Sequence, residues 1–197
     1  KAALDAKSNE DSAKLEAAGL DEKLVGLLKP RIAQESKMLT DYYNQKAAAK
    51  KIEGTVSASF DYENHKGGKT KLEDLRGKYV YIDVWATWCK PCKVEHTFLK
   101  QLEEHFSNNN ELQIISISTD REYDKWEKYI TKNSIKGVQL YSGSNSDFVK
   151  FYDIGALPRF IFLDKEGRVI SPDEIRPSNS KTLEKLEATV YNNVYKR

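Results

Sequence analysis

The chain has 197 residues, and its 32 basic and 30 acidic side chains leave a net charge of only +2. This length suits one domain with an appendage, or two small domains. The charge balance argues against a protein that binds nucleic acid or an anionic membrane surface, because such proteins carry a clustered positive excess. We find no apolar run near the ~20 residues that span a bilayer and no signal-peptide pattern. Because the chain begins at Lys1, we expect a processed or trimmed product.

The first part of the chain, residues 1–54, is predicted to be helical. It is rich in Ala, Lys, Glu and Leu and poor in β-branched residues, a composition that favours helices. We expect a first helix that ends at Gly19 and a second over Asp21–Lys29. A third should follow, with Pro30 in its first turn. The third helix carries a loosely apolar stripe that must pack on another surface, and its members are Ile32, Leu39, Tyr42 and Tyr43.

Residues 55–197 are predicted to form an α/β domain, since strand and helix patterns alternate from Thr55 onward. Lys78–Val84 is nearly all apolar or β-branched, as in a strand buried on both faces. A helix from Lys90 to Phe106 separates it from a second central strand, Leu112–Ser118. The other predicted elements are a helix opened by capping-box spacing at 119–122, a strand near 138–141, a short helix near 147–152, strands over 159–163 and 167–170 around a hairpin turn, and a helix over 180–194.

The two cysteines of the chain stand together as Cys89-Lys90-Pro91-Cys92, at the start of the helix that follows the first central strand. So short a ring does little to stabilise a fold, and this context favours redox chemistry. A sulfur at the start of a helix lies near unpaired N–H groups and the positive end of the dipole, which favour the reactive thiolate of Cys89. Cys92 is close enough to resolve a mixed disulfide. Lys90 either helps to hold the thiolate or is simply solvated, and both interpretations stay open.

A zinc site and a pair of incidental buried thiols are the alternatives to a redox pair. Zinc needs two further ligands, and the chain has no second cysteine pair. His96 and His105 lie nine positions apart on one predicted helix, so they face opposite sides of it. Two thiols in an exposed loop between a buried strand and a helix are an unusual choice for a structural role. We therefore expect redox chemistry and no bound metal.

The segment from Asp83 to Lys93, DVWATWCKPCK, closely resembles the active-site segment of thioredoxin-like proteins. Its Ala-Thr-Trp form is most similar to the TlpA/ResA-type extracytoplasmic thiol–disulfide oxidoreductases. The resemblance extends from about Ser57 to the C-terminus and includes Lys71–Lys78 and the loop Gly155–Pro158. It implies a thioredoxin fold, in which a central mixed sheet is flanked by helices, here preceded by the helical segment of residues 1–54.

The resemblance also assigns roles to two thiols and two acids. Cys89 would be the exposed nucleophile and Cys92 the buried resolving thiol. Asp83 stands at the position of the buried acid of thioredoxin. A carboxylate in an apolar strand is costly, and burial should raise its pKa, which suits a proton acceptor for Cys92 through water; a structural strand-end hydrogen bond is the alternative. Glu95 matches an acid of ResA-like members and shares a helix face with Cys92, although a solvated helix residue fits the pattern equally well.

The implied substrate groove is formed by Trp88, Pro91, Leu157 and Pro158. By resemblance, Pro158 follows a cis peptide bond and lies against the cysteine pair, so that the backbone of Leu157 can hydrogen-bond a substrate strand. Trp88 would shield the cysteines.

Three further side chains near the motif are interpreted separately from the groove. Trp85 is expected in the core. Thr97 stands where the corresponding helix of the thioredoxin-like proteins that the chain resembles commonly carries a kinking proline. Arg159 follows Pro158 at a position where the proteins of this resemblance commonly carry a threonine, so we expect its charge near the groove.

The predicted function is thiol–disulfide exchange with protein thiols and disulfides, without a bound cofactor, most consistent with a reductase fed by an upstream electron donor. The resemblance implies a periplasmic or otherwise extracytoplasmic location, with or without a membrane tether in the full-length precursor. A thiol peroxidase is a weaker alternative, because it would need a Thr-x-x-Cys motif and an arginine at the sulfur. A partner-binding scaffold that docks through residues 1–54 is the alternative from another class. The direction of electron flow stays open, because about 30 mV corresponds to only ~1.4 kcal/mol.

Overall fold

The computed structural model describes residues 2–192, which form two compact units that divide between Ala48 and Ala49. The first unit consists of helices α1 (Ala2–Ala17) and most of α2 (Glu22–Lys50). Gly19 follows α1 with a φ of 63°, the left-handed conformation that commonly ends a helix and that glycine adopts without strain. An ion pair between Lys29 and Glu16 joins the two helices.

The prediction of separate helices on either side of Pro30 is wrong, because α2 runs through this residue. Proline removes the hydrogen bond to the carbonyl four residues earlier, here that of Gly26. Both Pro30 and Gly26 are exposed, so water can satisfy that carbonyl. The strong helix formers on both sides then continue the helix.

The apolar stripe of this helix is largely exposed, and no residue of α2 is buried. The exposed fractions are 47% for Leu39, 53% for Tyr42 and 57% for Tyr43. The expectation that the stripe packs on another surface is therefore not met within the first unit.

The second unit is built on a mixed sheet that, within the described residues, has seven strands in the order β2-β1-β5-β4-β3-β6-β7. The strands are β1 (Asp61–Asn64), β2 (Lys69–Lys71), β3 (Tyr79–Trp85), β4 (Leu112–Ser118), β5 (Val138–Tyr141), β6 (Arg159–Leu163) and β7 (Val169–Ser171). The helices are α3 (Lys90–His105), α4 (Tyr123–Asn133), α5 (Asp147–Phe151) and α6 (Lys181–Asn192), with a 3-10 turn at Leu72–Leu75.

Strand β3 lies at the centre of the sheet and leads into the cysteine motif. It is parallel to β4 and antiparallel to β6, and all seven of its residues are buried. Helices α3 and α6 pack on one face of the sheet, where Leu99, Leu102 and Leu186 join Tyr81 and Phe162 in an apolar cluster. A mixed sheet flanked by helices is the architecture that the resemblance predicts.

Two strands and the start of one helix in this unit differ from the sequence predictions. Strands β1 and β2 were not predicted, because they are short and polar and lack an apolar alternation. The capping box at 119–122 is wrong: α4 begins at Tyr123, and its N-cap, Glu122, makes no capping hydrogen bond. The hydroxyl of Thr119, the expected cap, donates instead to the carbonyl of Trp85 at 3.2 Å.

Neither end of the predicted α/β domain is tested by the described residues. The end of the last predicted helix, 193–194, lies outside the described residues. The boundary between residues 54 and 55 stays a prediction.

Candidate active site

The cysteine pair lies between the end of β3 and the first turn of α3. Cys89 is the N-cap of α3, and its Sγ accepts a hydrogen bond of 3.2 Å from the backbone N–H of Cys92. The two cysteines form a disulfide with a Cα–Cα distance of 5.3 Å. Pro91 occupies the first helical turn, where its missing N–H costs nothing. The motif therefore places a redox-active pair at the positive end of a helix.

Cys89 is 4% exposed and Cys92 is 0% exposed in this oxidised state. Both pack in an apolar cluster with Trp85 and Trp126. The expectation that Cys89 is an exposed sulfur is therefore wrong for the disulfide form, since the bond to Cys92 holds its sulfur within this cluster. Trp85 lies in the core, as expected.

Asp120 anchors the loop before the cysteines, a role that sequence reasoning missed. Its carboxylate accepts hydrogen bonds from the backbone N–H of Thr87 (2.9 Å), the hydroxyl of Thr87 (2.7 Å) and the hydroxyl of Ser118 (2.7 Å). The residue is 2% exposed. An aspartate directly after a central strand is the signal that could have identified it. These bonds fix the backbone two residues before Cys89.

Asp83 is fully buried on β3, as predicted. Burial raises the pKa of its carboxyl group, while His96 and Ser116 partly oppose this effect. The Nε2 of His96 lies 3.3 Å from Oδ2 of Asp83. Neither carboxylate oxygen has a hydrogen bond of good geometry to any described residue. The alternative interpretation of Asp83 as a structural strand-end hydrogen bond therefore has no support in this geometry.

Sequence reasoning considered His96 only as a zinc ligand. The signal for its contact with Asp83 is its position four residues after Cys92 and three before Leu99. Residues at these spacings share a helix face, and Cys92 and Leu99 are both buried. No group of acidic, histidine or cysteine side chains among residues 2–192 has the arrangement of a metal site.

Glu95 is buried, so its interpretation as a solvated helix residue is wrong. Its carboxylate accepts hydrogen bonds from the backbone N–H (3.0 Å) and the hydroxyl (2.8 Å) of Ser178. These bonds tie α3 to the segment that precedes α6. A role for Glu95 in the thiol chemistry stays a prediction.

A groove of about 570 Å³ lies beside the motif and is lined by Trp88 and Leu157. Trp88 is 68% exposed, and the charged side chains of the groove are those of Asp120, Arg121, Glu122 and Lys125. The Leu157–Pro158 peptide bond is cis, as the resemblance implies. Pro91 and Pro158 are not among the lining residues.

The charge of Arg159 does not lie in the groove, contrary to expectation. The side chain is buried and pairs with Asp173 at 3.6 Å, and its Nη1 donates to the carbonyl of Pro172 at 3.4 Å. The segment after β7 thus takes up the charge. Helix α3 continues through Thr97 without interruption.

Comparison with known proteins places this geometry in a family. A family model described as thioredoxin-like matches residues 77–169. A protein from Bacteroides vulgatus, described as a thiol-disulfide oxidoreductase and solved in solution, is 44% identical; the alignment covers 68% of this chain and 88% of that one, with a TM-score of 0.63. A thiol-disulfide oxidoreductase from Bacteroides fragilis is 28% identical, with coverage of 67% and 99% and a TM-score of 0.59.

The curated relatives include the thiol-disulfide oxidoreductase ResA of Bacillus cereus, which is 28% identical over 118 residues. The match covers 59% of this chain and 66% of ResA. No helix among the described residues is both long and apolar enough to cross a membrane. From the sheet, the cysteine pair at the start of α3 and these relatives, we conclude that the chain belongs to the thioredoxin-like, TlpA/ResA-type thiol–disulfide oxidoreductases.

Proposed function

We propose that the chain is a thiol–disulfide oxidoreductase that reduces disulfides of protein substrates through the Cys89–Cys92 couple. The observation that carries the proposal is the cysteine pair itself, disulfide-bonded at the N-terminus of α3. A helix N-terminus stabilises a thiolate through its free N–H groups and its dipole. The backbone N–H of Cys92, 3.2 Å from the sulfur of Cys89, is one such group.

The reaction follows thiol–disulfide exchange in two steps. The thiolate of Cys89 attacks a sulfur of the substrate disulfide, forms a mixed disulfide and releases one substrate thiolate, which takes up a proton. Cys92 then loses its proton and attacks the sulfur of Cys89, which releases the second substrate thiol. Two electrons pass from the dithiol to the substrate, and an upstream dithiol donor must return them.

Asp83 is proposed as the group that takes the proton of Cys92, directly or through water. It lies two residues before Trp85, which belongs to the same apolar cluster as both cysteines. Its burial raises its pKa, and a raised carboxyl pKa brings a general base closer to neutral pH, where proton transfer is most efficient.

Trp88 and Leu157 are proposed to hold the substrate in the groove beside the cysteines, with Pro91 and Pro158 at its edge. The large exposed ring of Trp88 supports this assignment, because exposed aromatic side chains are typical anchors of protein interfaces. The exposed charged residues of the groove, Arg121, Glu122 and Lys125, would pair with polar groups that flank the substrate cysteine.

The proposed location is periplasmic or otherwise extracytoplasmic. It rests on the likeness of the segment Asp83–Lys93 to TlpA/ResA-type proteins. The identity of the electron donor is a separate question, which the redox potential constrains.

The first test is the reduction potential of the Cys89–Cys92 couple, measured by equilibration with glutathione or dithiothreitol buffers. We expect a value near or below that of thioredoxin, about −270 mV. A value near −120 mV, as in a strong oxidant, would contradict the reductase direction. If no reversible two-electron transition is seen, the oxidoreductase proposal fails.

Single-cysteine variants test the two roles. Cys89→Ser should abolish reduction of a model protein disulfide, because no nucleophile remains. Cys92→Ser should accumulate a mixed disulfide between Cys89 and the substrate, detectable by mass spectrometry. Accumulation in Cys89→Ser instead would show that the roles are reversed.

A further inference from the structure

A row of buried polar side chains crosses the centre of the sheet beneath α3. Asp83 on β3 is paired in register with Ser116 on β4, and Ser116 is paired with Gln139 on β5. Residues paired across strands project to the same face. Their exposed fractions are 0%, 1% and 4%, so the row lies inside an otherwise apolar sheet.

Several buried polar atoms in and beside this row lack a hydrogen-bond partner of good geometry among the described residues. Both carboxylate oxygens of Asp83, the Oγ of Ser116, the Oε1 of Gln139 and the Nε2 of His96 make no hydrogen bond of good geometry within the described part of the chain. Buried polar atoms without partners are rare in folded proteins. Their concentration around one carboxylate, on three strands and one helix, indicates a site rather than a packing fault.

A cavity of about 210 Å³ adjoins the row and is lined by His96, Ser116 and Gln139. A water molecule occupies about 30 Å³ of liquid volume, so the cavity has room for several. The other polar residues that line it are Lys100 and Glu103 on α3, Asn133 and Ser134 at the end of α4, and Lys136. It shares no lining residue with the groove beside Trp88.

His96 connects this cavity to Asp83. It lines the cavity, its side chain is 16% exposed, and its Nε2 lies 3.3 Å from Oδ2 of Asp83. Its ring lies edge-on to Trp85 at a centroid distance of 4.6 Å, which fixes its orientation. Asp83 itself does not line the cavity, so a proton that leaves its carboxyl group on this side must pass His96 or Ser116.

We propose that His96 is a positioning residue that orients Asp83 and passes its proton to the solvent of the cavity beneath α3, separately from the substrate groove. The inference rests on the proposed thiol–disulfide exchange. When Cys92 resolves the mixed disulfide, its S–H bond breaks and the proton forms an O–H bond on Asp83. Nε2 of His96 then takes that proton, and the imidazole releases one proton to water, with no electrons exchanged. Asp83 can therefore be reset while a bound substrate still covers the groove.

The charged and titratable groups around the pair set its pH response. Neutral Ser116 faces Asp83 from β4, and neutral Gln139 lies beyond Ser116 on β5. The titratable neighbours are Tyr81 on β3, Glu95, Lys100 and Glu103 on α3, Tyr129 on α4, Lys136 before β5 and Lys66 before β2. Burial, followed by the negative charge of Asp83, raises the pKa of Glu103. His96 opposes the effect of burial on Asp83, so its removal should raise the pKa of Asp83 further.

The first experiment follows the carboxyl carbon of Asp83 by ¹³C NMR titration in the oxidised protein, where no thiol titrates. His96→Phe should move the Asp83 midpoint upward by about one unit, a tenfold change in the ionisation equilibrium. His96→Gln, which retains a polar group, keeps the test valid if the phenylalanine variant does not fold, and should cause a smaller upward shift. His105→Gln is the matched control: His105 lies on the same helix and pairs with Glu187, and its variant should leave the midpoint unchanged.

The second experiment measures the rate of the resolving step against pH in single turnovers. His96→Phe should shift the rising limb of this rate profile to higher pH by about one unit. At a given pH on that limb the rate should fall about tenfold, and at high pH it should return to the wild-type rate. His96→Ala should lose rate similarly and regain it with added imidazole, which can enter through the cavity, whereas His96→Phe should not be rescued. Unchanged Asp83 titration and unchanged pH profiles in the folded variants would overturn the proposal. If wild type itself shows no exchange, the proposed function fails, and the NMR titration still decides whether His96 is coupled to Asp83.

Discussion

Two buried aspartates on neighbouring strands have opposite surroundings. Asp120, just after β4, accepts three hydrogen bonds from Thr87 and Ser118. Asp83, on β3, accepts none of good geometry from any described residue. Burial is almost complete in both cases, so burial alone does not determine what a carboxylate does.

The number of donors separates their roles. Three donors stabilise a carboxylate and hold it in one orientation, so Asp120 acts as an anchor for the cysteine loop. Without such donors, burial raises the pKa of Asp83, which is the property that the proposed proton transfer requires. Variants of both residues, and of Glu95 with its two donors, can break or sharpen this comparison.

The largest expected effect is that of Asp120→Ala. The change leaves the N–H and hydroxyl of Thr87 and the hydroxyl of Ser118 without their acceptor, and we expect a loss of about 2–4 kcal/mol in the free energy of unfolding. Urea denaturation measures it. Asp120→Asn, which keeps one acceptor oxygen, should lose less. A change within about 0.5 kcal/mol for the alanine variant, as at an ordinary surface site, would show that Asp120 is not an anchor.

Asp83→Asn, unlike Asp120→Ala, should raise the free energy of unfolding at neutral and alkaline pH. The folded-state pKa of Asp83 lies above its unfolded value, so the folded protein binds the proton more tightly. The contribution of Asp83 to wild-type stability is therefore fully present below the unfolded pKa and is lost as pH rises through the folded pKa, by about 1.4 kcal/mol for each unit of elevation. The asparagine variant should lack this fall and be more stable than wild type at pH 8.

The same Asp83→Asn variant should slow the resolving step at neutral pH. A positioned general base contributes at least about 10²-fold, so we expect mixed disulfides to persist correspondingly longer in rapid-quench experiments. Wild-type rates together with a raised stability would limit Asp83 to a passive buried acid.

Glu95→Gln should have an intermediate effect. It weakens two hydrogen bonds from Ser178 by removing the charge, at an expected cost of about 1–2 kcal/mol, measurable as a lower thermal midpoint. Because those bonds join α3 to the segment before α6, the pH profile of exchange should stay in place. A displaced profile would instead assign Glu95 to the thiol chemistry.

Deletion of residues 1–48 should have the smallest effect, namely no measurable change in exchange rate. The cut retains Ile52, which packs against the core of the domain, and Gly54, whose N–H donates to the carbonyl of Val169. Exchange assays on the shortened and full-length chains make the comparison. Lost exchange would show that the helical segment contributes to the reaction.

The sequence alone was sufficient for the central elements and the chemistry. Leu112–Ser118 and Arg159–Leu163 were predicted with the bounds that the structure gives, because continuous apolar runs are strong signals of buried strands. The short spacing of Cys89 and Cys92 likewise identified the redox pair, since few other roles suit it.

Local signals failed where partners distant in the chain decide the outcome. Thr119 fits the cap of a capping box, but its hydroxyl donates instead to the carbonyl of Trp85, thirty-four residues earlier. Glu95 fits a solvated helix position until Ser178 binds it. The contact between His96 and Asp83 exists because α3 crosses over β3, a packing that no local pattern encodes. The sequence by itself therefore determined the central strands and the redox-active cysteine pair, whereas the tertiary structure decided which buried carboxylates are held by donors and which are not, because donors that satisfy a buried charge come from other elements of the fold.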